Sequence, residues 1–196
     1  MGNQTIKFIF AATLAFGFSQ NAAEARGYSG GSSGEGWAFN TGLMYLYAQT
    51  TEAGSTVSSS QYLADVNLGY HFSGGPFFLG GNYSYDSTST TSNSVSVNDT
   101  YSSFGPTVGL ISDSVYFLLT YFAVSSETKP STTYSPGSGF QATLGYKFDL
   151  GSNWGLAPEL SYKNLAYTQV STGGASVTSD RKHSTLLPLV ALWYTF

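Results

Sequence analysis

The fold of this chain is decided by one stretch of alternating residues, FQATLGYKFDL at positions 140–150. Every second residue is apolar from Phe140 to Leu150, and the residues between them are small, polar or charged. Side chains of a β-strand alternate between two faces, whereas an amphipathic helix needs apolar residues three and four apart. The stretch therefore predicts a strand with one apolar face and one polar face.

The same period of two recurs along the chain from Trp37 onward and predicts eight strands. Their predicted ranges are 37–47, 61–72, 77–86, 101–112, 115–124, 140–150, 154–163 and 186–196. The fourth and fifth ranges are apolar on both faces, so the pattern leaves open which of their residues point inward.

The predicted strands are joined alternately by short and long connections. The short ones consist of turn-forming residues and lie at 73–75, 112–114 and 151–153. The long ones are rich in Ser and Thr and are predicted to be loops, at about 50–59, 87–99, 125–138 and 168–180. Three short turns and four long loops join eight antiparallel strands whose two ends lie on the same side.

The composition excludes several classes of protein. Charged residues make up 9% of the chain and aromatic residues 16%, whereas soluble domains carry about 25% charged residues. Lys and Arg number 7 against 11 Asp and Glu, without a basic cluster, which excludes a strongly basic nucleic-acid binder. The chain has no cysteine, which excludes a disulfide framework and a thiolate metal site.

The first residues have the pattern of a secretory signal peptide. Lys7 precedes an apolar run over 8–18, and Ala23-Glu24-Ala25 supplies a cleavage site. The run is too short to span a bilayer as a helix, which takes about 20 residues. We therefore predict a signal peptide at 1–25, a flexible Gly/Ser leader at 26–36 and one folded domain at 37–196.

The distribution of charge indicates which face of the strands meets its surroundings. The charged residues within the predicted strands lie on the less apolar face, which would be the interior of a barrel: Asp65, Asp86, Lys147, Asp149, Glu159 and Lys163. A soluble barrel would have its apolar face inside, and its outer face would need more charge than this chain offers. The sequence predicts an all-β, eight-stranded, antiparallel, up-and-down transmembrane β-barrel.

The last strand carries the most specific sequence feature, VALWYTF at 190–196. A terminal Phe196 follows apolar or aromatic residues at alternate positions, namely Val190, Leu192 and Tyr194. The chain thus resembles the small eight-stranded outer-membrane barrels of Gram-negative bacteria, which include the transmembrane domain of outer membrane protein A and opacity-type surface antigens. The resemblance implies short periplasmic turns, longer extracellular loops, contact with outer-membrane lipid and lipopolysaccharide, and recognition of these four residues by the barrel-insertion machinery.

An eight-stranded barrel is filled by its own side chains, and charges buried there need partners. We predict an interior polar network of Asp65, Lys147, Glu159 and Lys163, in which Lys147 and Glu159 approach each other diagonally. Its expected role is structural. Several inward leucines, Leu63, Leu118, Leu187 and Leu189, keep open the alternative of a narrow channel for small or hydrophobic molecules.

Catalytic chemistry has only weak candidates in this sequence. His183 lies near Asp180 and Ser184, a set that could support acyl transfer or hydrolysis in a lipid A-modifying enzyme. A period of two puts His183 and Ser184 on opposite faces of the strand. We expect no enzymatic activity, no metal site and no cofactor.

The sequence therefore predicts a porin-like surface protein of the bacterial cell outer membrane. Its expected role is structural, in envelope integrity or in adhesion through Ser/Thr-rich extracellular loops, with an extracellular partner that the sequence does not identify. Three prolines conflict with the simple picture, because Pro106, Pro158 and Pro188 fall inside predicted strands. Proline removes a ladder donor and belongs at an edge or a bulge, yet a closed barrel has no edge.

Overall fold

The structure is a computed structural model that describes residues 36–52, 55–92 and 94–196. The predicted signal peptide, and the predicted leader up to residue 35, lie outside the described residues. In the described part of the chain, no helix has the length and apolar character that a membrane span requires.

Antiparallel β-strands make up most of the described chain. The described residues form eleven strands: β1 (Gly36–Glu52), β2 (Ser55–His71), β3 (Phe77–Ser92), β4 (Val95–Ile111), β5 (Val115–Lys129), β6 (Thr132–Tyr146), β7 (Phe148–Gly151), β8 (Trp154–Tyr167), β9 (Gln169–Thr172), β10 (Ala175–Thr178) and β11 (Lys182–Thr195).

Eight of these strands close into a ring. Strands β1 to β6 follow one another around it, β8 pairs with β6, β11 pairs with β8, and β11 pairs with β1. The short strand β7 pairs with β8 beyond the end of β6, and the β9–β10 hairpin pairs with β6 beyond the end of β8. The prediction of an all-β antiparallel fold is confirmed, and the ring of eight strands is compatible with the predicted barrel.

The two ends of the ring differ. The terminal end carries Gly36, Phe196 and the short links at 72–76, 112–114 and 152–153, which agree with the predicted turns. Two of these links contain residues with positive φ: Gly74 at 77° in one, and Ser152 at 50° with Asn153 at 68° in the other. Glycine and asparagine tolerate that conformation best, so the turn prediction rested on the right physical cause. The opposite, distal end carries the β9–β10 hairpin.

The prediction of long loops at the distal end is wrong over most of their length. Strand β3 continues to Ser92 before β4 begins at Val95, and β5 continues to Lys129 before β6 begins at Thr132. The hydroxyl groups of neighbouring strands pair there, as between Thr91 and Ser96 at 2.8 Å and between Ser102 and Ser126 at 2.9 Å. Cross-strand hydroxyl pairs stabilise a sheet without any apolar alternation. The Ser/Thr-rich stretches therefore extend the strands.

The predicted loop at 168–180 contains the β9–β10 hairpin. Its two central residues are Gly173 and Gly174, with φ of 58° and 87°. Two-residue hairpin turns of this type need positive φ at both positions, which glycine adopts without strain. The Gly-Gly pair is therefore the sequence signal for a hairpin that was predicted to be a loop.

The phase of the fourth and fifth strands, which the sequence left open, is defined by packing at the terminal end. Ile111 of β4 and Tyr116 and Leu118 of β5 point inward and are buried. They belong to an apolar cluster that fills the terminal end, the terminal plug: Ala38, Phe78, Ile111, Tyr116, Leu118, Ala157, Ala191 and Trp193. These strands are apolar on both faces because their inward residues form much of this plug.

The outward face of the ring carries a continuous set of exposed apolar and aromatic side chains, here named the apolar belt. Its exposed members are Trp37, Leu43, Tyr62, Leu68, Phe77, Leu79, Tyr83, Tyr85, Phe104, Val108, Leu110, Val115, Phe117, Leu119, Tyr121, Phe140, Leu144, Tyr146, Phe148, Leu150, Trp154, Leu160, Tyr162, Leu186, Val190 and Phe196. On the distal side of the belt the strands continue with mostly polar outward side chains; we call this part of the ring the overhang.

The three prolines lie on the outward face, each where one ladder is interrupted. At Pro106 the β4–β5 register shifts between Phe104 and Thr107, while the β3–β4 ladder runs through without a shift. Proline has no N–H to donate. Each strand has two neighbours, so a proline interrupts one ladder and leaves the other intact.

The remaining two prolines follow the same rule. The β6–β8 ladder stops at Glu159, one residue before Pro158, while the β8–β11 ladder continues past both Pro158 and Pro188. The β1–β11 ladder extends only as far as Val190, two residues from Pro188. The closed ring accommodates these three prolines by a bulge at Pro106 and by incomplete ladders at Pro158 and Pro188.

Candidate functional site: the polar interior

The middle of the ring is filled by buried polar side chains above the terminal plug. Asp65 is their centre, and it is 3% exposed. One carboxylate oxygen accepts a hydrogen bond from Gln141 Nε2 at 2.8 Å, and the other accepts from Asn82 Nδ2 and, at 3.3 Å, from Asn67 Nδ2. A carboxylate surrounded by amide donors is stabilised by charge-assisted hydrogen bonds.

Glu159 is the second buried carboxylate of the interior. Its Oε1 accepts hydrogen bonds from Asn40 Nδ2 at 2.8 Å and from the Tyr116 hydroxyl. Gly42 lies beside it, because a Cβ added there would be 3.0 Å from Glu159 Oε2. The side chain is thus held by neutral donors in a tightly packed position.

Three asparagines connect the two carboxylates. Asn82 donates to Asn67 Oδ1 at 2.9 Å, and Asn67 donates to Asn40 Oδ1 at 3.1 Å. The three residues occupy inward positions on the neighbouring strands β3, β2 and β1, at matching levels of the ladders. Asp65, the asparagines and Glu159 therefore form one hydrogen-bonded network across the interior, which we call the asparagine network.

Lys163 is the buried cation of the same region, with 4% exposure. Its Nζ donates to Ser84 Oγ and lies 5.7 Å from the centre of the Phe122 ring. The negative charges of Asp65 and Asp86 act on it. The structure thus brings three of the four predicted network residues, Asp65, Glu159 and Lys163, into one buried region.

The fourth predicted residue, Lys147, lies elsewhere. It sits between β6 and β7 at the terminal end, where its backbone N–H donates to Ser114 O. Its aliphatic stem covers Gly155, since a Cβ added to Gly155 would be 2.8 Å from Lys147 Cγ. Glu159 pairs across the ladder with Gly145, and its side-chain hydrogen bonds come from Asn40 and Tyr116.

A second charged cluster closes the distal end of the interior. Glu127 is fully buried, and both of its oxygens accept hydrogen bonds of 2.5 Å from the guanidinium of Arg181. Lys129 Nζ lies 3.4 Å from Glu127 and 3.1 Å from Asp99. Arg181 also covers the Tyr134 ring at 4.8 Å. We call the Glu127–Arg181 pair the latch, because it fastens the segment after the β9–β10 hairpin to β5.

The latch lies on the distal side of the apolar belt, and its electrostatics are those of a strong pair. Burial by itself raises the pKa of Glu127, but the hydrogen bonds and charge of Arg181 outweigh it and hold that pKa below its ordinary value. Glu127 therefore stays ionised at neutral pH. Sequence reasoning missed this pair because both residues fell inside or beside stretches predicted to be loops.

The predicted catalytic candidates do not come together. His183 faces inward, stacks on the Tyr101 ring with 4.4 Å between ring centres, and bonds Thr185 Oγ1 at 2.6 Å. Ser184 faces outward and accepts a hydrogen bond from Asn164 Nδ2 at 2.7 Å, while Asp180 is exposed. The three residues thus form no nucleophile–base–acid arrangement of the kind that acyl transfer needs.

The four residues of the predicted insertion signal share the outward face of β11. Val190 and Phe196 are exposed, and Leu192 and Tyr194 are partly exposed. The Tyr194 ring packs against Trp154 at 4.6 Å and against Phe196 at 4.9 Å. Alternation along β11 therefore presents all four side chains on one surface.

The described residues contain no group of three or more His, Asp or Glu side chains that could hold a metal ion. No protein-family model matches the chain, and no curated protein matches it in sequence. Function is therefore argued from the geometry of the ring, its interior and its outer surface.

Proposed function

We propose that this chain is an integral β-barrel of the bacterial outer membrane with a structural or surface-interaction role and no enzymatic activity. One observation carries the proposal: the ring has apolar side chains outside and charged side chains inside. A soluble protein is arranged in the opposite way, because water solvates charge and disfavours apolar surface. The hydrocarbon of a bilayer favours the arrangement found here.

The height of the apolar belt supports membrane insertion, because it matches the length of a membrane-spanning strand. On β1 the belt extends from Trp37 to Tyr45, which is nine residues, and a tilted membrane strand needs about 9–11. Aromatic residues lie near both of its edges, such as Trp37 and Tyr70 towards the terminal end and Tyr45 and Tyr62 towards the distal end. Aromatic rings at two levels match the girdles that sit at membrane interfaces.

The absence of outward charge within the belt also supports a bilayer. Among the described residues, the outward positions of the belt carry no Asp, Glu, Lys or Arg. Asp65, Glu159 and Lys163, at the same levels, all point inward. Since a Lys or Arg facing lipid costs about 2–4 kcal/mol at the membrane centre, this separation favours insertion.

The overhang supports a surface role. Beyond the belt the strands continue with small neutral side chains on the outward face, for example Ser60 on β2, Ser89 on β3 and Ser102 on β4. The paired, mostly polar strands of the overhang would present, outside the lipid, a surface for contact with lipopolysaccharide sugars or other envelope components. The filled interior and the separated catalytic candidates favour this role over catalysis.

A matched pair of arginine substitutions tests membrane insertion. Leu68→Arg puts a charge on an outward belt position that is 51% exposed, whereas Ser58→Arg puts it on the overhang of the same strand. We expect Leu68→Arg to lower the free energy of unfolding in lipid vesicles by about 2–4 kcal/mol, and Ser58→Arg to leave it nearly unchanged. Purified chain that folds to a stable monomer in detergent-free buffer would contradict the proposal.

A further inference from the structure

The wall of the ring is incomplete between β1 and β11. Their ladder begins at Ala38–Thr195 and stops at Leu43–Val190. By contrast, β1 pairs with β2 along its whole length, and β11 pairs with β8 from Lys182 to Tyr194. Among the described residues, the distal half of β1 and the distal half of β11 therefore each have a ladder on one side only. We call this part of the β1–β11 seam, where the ladder has ended, the slot.

Pro188 explains where the ladder stops. At the terminal end, Phe196 N–H donates to Trp37 O at 2.9 Å, so these two residues form a hydrogen-bonded pair. Hydrogen-bonded pairs alternate along an antiparallel ladder, which makes Leu43–Val190 the last such pair and Tyr45–Pro188 the next. Proline has no N–H to give to Tyr45 O. The ladder thus ends at the first position where its donor is missing.

Apolar side chains lie on both sides of the slot. Behind it, Met44 of β1 and Leu187 and Leu189 of β11 form one buried cluster with Leu63, and Leu46 packs against them. The belt residues beside the slot are exposed by 49% at Leu43, 40% at Val190 and 61% at Leu186. The side chains on the outer and inner sides of the slot are therefore both apolar, which favours an apolar occupant over a polar solute.

The backbone groups at the edges of the slot need polar partners. Tyr45 and Tyr47 occupy positions whose backbone N–H and C=O groups point towards β11, where the ladder has ended. Tyr45 lies at the distal edge of the belt and Tyr47 just beyond it, so a polar headgroup at the membrane interface is within reach of these backbone groups. An occupant that matches the slot has a hydrocarbon chain that contacts the leucines. It also has a polar head that forms hydrogen bonds with the backbone of the strand edges at the distal end. A membrane lipid has both.

We propose that the slot receives the acyl chain of a membrane lipid, which enters sideways from the apolar belt and lies against the Met44–Leu63–Leu187–Leu189 cluster. This inference rests on the proposed membrane insertion. Met44 is 8% exposed and is the most accessible of the four. Its unbranched, flexible side chain moves aside for the incoming chain at low cost. The site takes a lipid laterally and requires no axial pore.

Photo-crosslinking tests the site. The protein is reconstituted in phosphatidylcholine vesicles that contain a phosphatidylcholine with a diazirine on one acyl chain, and labelled residues are identified by mass spectrometry. We expect labels on the inward residues Met44, Leu187 and Leu189 as well as on outward belt residues such as Leu43. Pro188→Ala supplies the missing donor and extends the ladder, so the inward labels should be lost while the outward labels remain.

Pro158→Ala is the matched control, because it changes an outward proline of the adjacent strand without touching the β1–β11 ladder. Its inward labelling should equal that of the unmodified chain.

A second variant closes the slot reversibly: Leu46→Cys with Leu187→Cys, in a chain that has no other cysteine. Continuation of the register puts these residues opposite each other at a non-hydrogen-bonded position. Oxidation should abolish inward labelling and reduction should restore it.

The possible failures are distinguishable. Outward labels without inward labels would overturn the lipid site and leave the proposed function standing. No labels on any belt residue would overturn the proposed insertion itself. A stable dimer that Pro188→Ala dissociates would assign the slot to a second copy of the chain and so overturn the lipid site.

Discussion

Glu159 is a buried carboxylate that is bonded to an amide and a phenol. Asn40 and Tyr116 each give it one hydrogen bond, and the asparagine network links it to Asp65. Because each of these donors is itself buried, loss of the acceptor would leave donors without partners. The stability of the folded interior therefore depends on an acceptor oxygen at position 159 rather than on its negative charge.

This dependence predicts unequal effects of two substitutions at Glu159. Glu159→Leu removes the acceptor and leaves the Asn40 amide and the Tyr116 hydroxyl unsatisfied, at a cost of about 1–3 kcal/mol for each. Glu159→Gln keeps an oxygen in the same place and should destabilise much less. Urea unfolding of both variants in vesicles measures the difference, and equal free energies of unfolding would refute the argument.

The sequence predicted part of this interior. Alternation correctly turned Asp65, Glu159 and Lys163 inward, because the period of a strand assigns each side chain to a face. Alternation did not predict that asparagines on three strands are linked in series by side-chain hydrogen bonds, since this depends on the register between strands. Lys147 was expected beside Glu159 because a short turn joins their strands and permits a diagonal approach. The register against β8 is the same before and after the break between β6 and β7, but the Lys147 side chain runs along Gly155 at the terminal end instead.

At the scale of the strands, the main error came from composition. Serine is common in turns, whereas threonine is enriched in strands, and here both pair their hydroxyl groups across ladders and extend strands. The apolar alternation marks only the part of each strand that lies in the belt. The predicted ranges consequently end close to the belt's distal edge, whereas the strands continue beyond it.

The latch is an element-scale device that responds to pH. The pKa of Glu127 lies below its ordinary value in the folded chain, so the pair stabilises the hairpin segment fully above the ordinary glutamate pKa of about 4.3. Its contribution falls as the pH drops below that value through the lowered pKa. A spin label on Asp180→Cys, next to Arg181, should be less mobile at neutral pH than after acidification.

The Glu127→Gln variant provides the control for this titration. It removes the charge that Arg181 pairs with, so the label at position 180 should be more mobile at neutral pH and should lose most of its response to acid. If the variant and the unmodified chain show the same mobility at every pH, then some group other than Glu127 fastens this segment.

At the scale of the whole molecule, the interior is filled along its axis. The terminal plug closes one end, the asparagine network and Lys163 fill the middle, and the latch with Tyr101 and Tyr167 closes the distal end. We therefore expect no steady ion conductance from purified protein in planar bilayers. Reproducible conductance steps would favour a channel, the alternative that the inward leucines first raised.

The overhang has a consequence for how this molecule is recognised and how it can diversify. Its outermost residues belong to paired strands, so an antibody raised against a free peptide from 87–99 would meet a different conformation from the one the ladder holds. An insertion of one residue within a strand would shift its register and reverse the faces of the later side chains of that strand. Insertions that preserve the ladders are thereby confined to the few residues that join the strands, such as 130–131 and the tip of the β9–β10 hairpin.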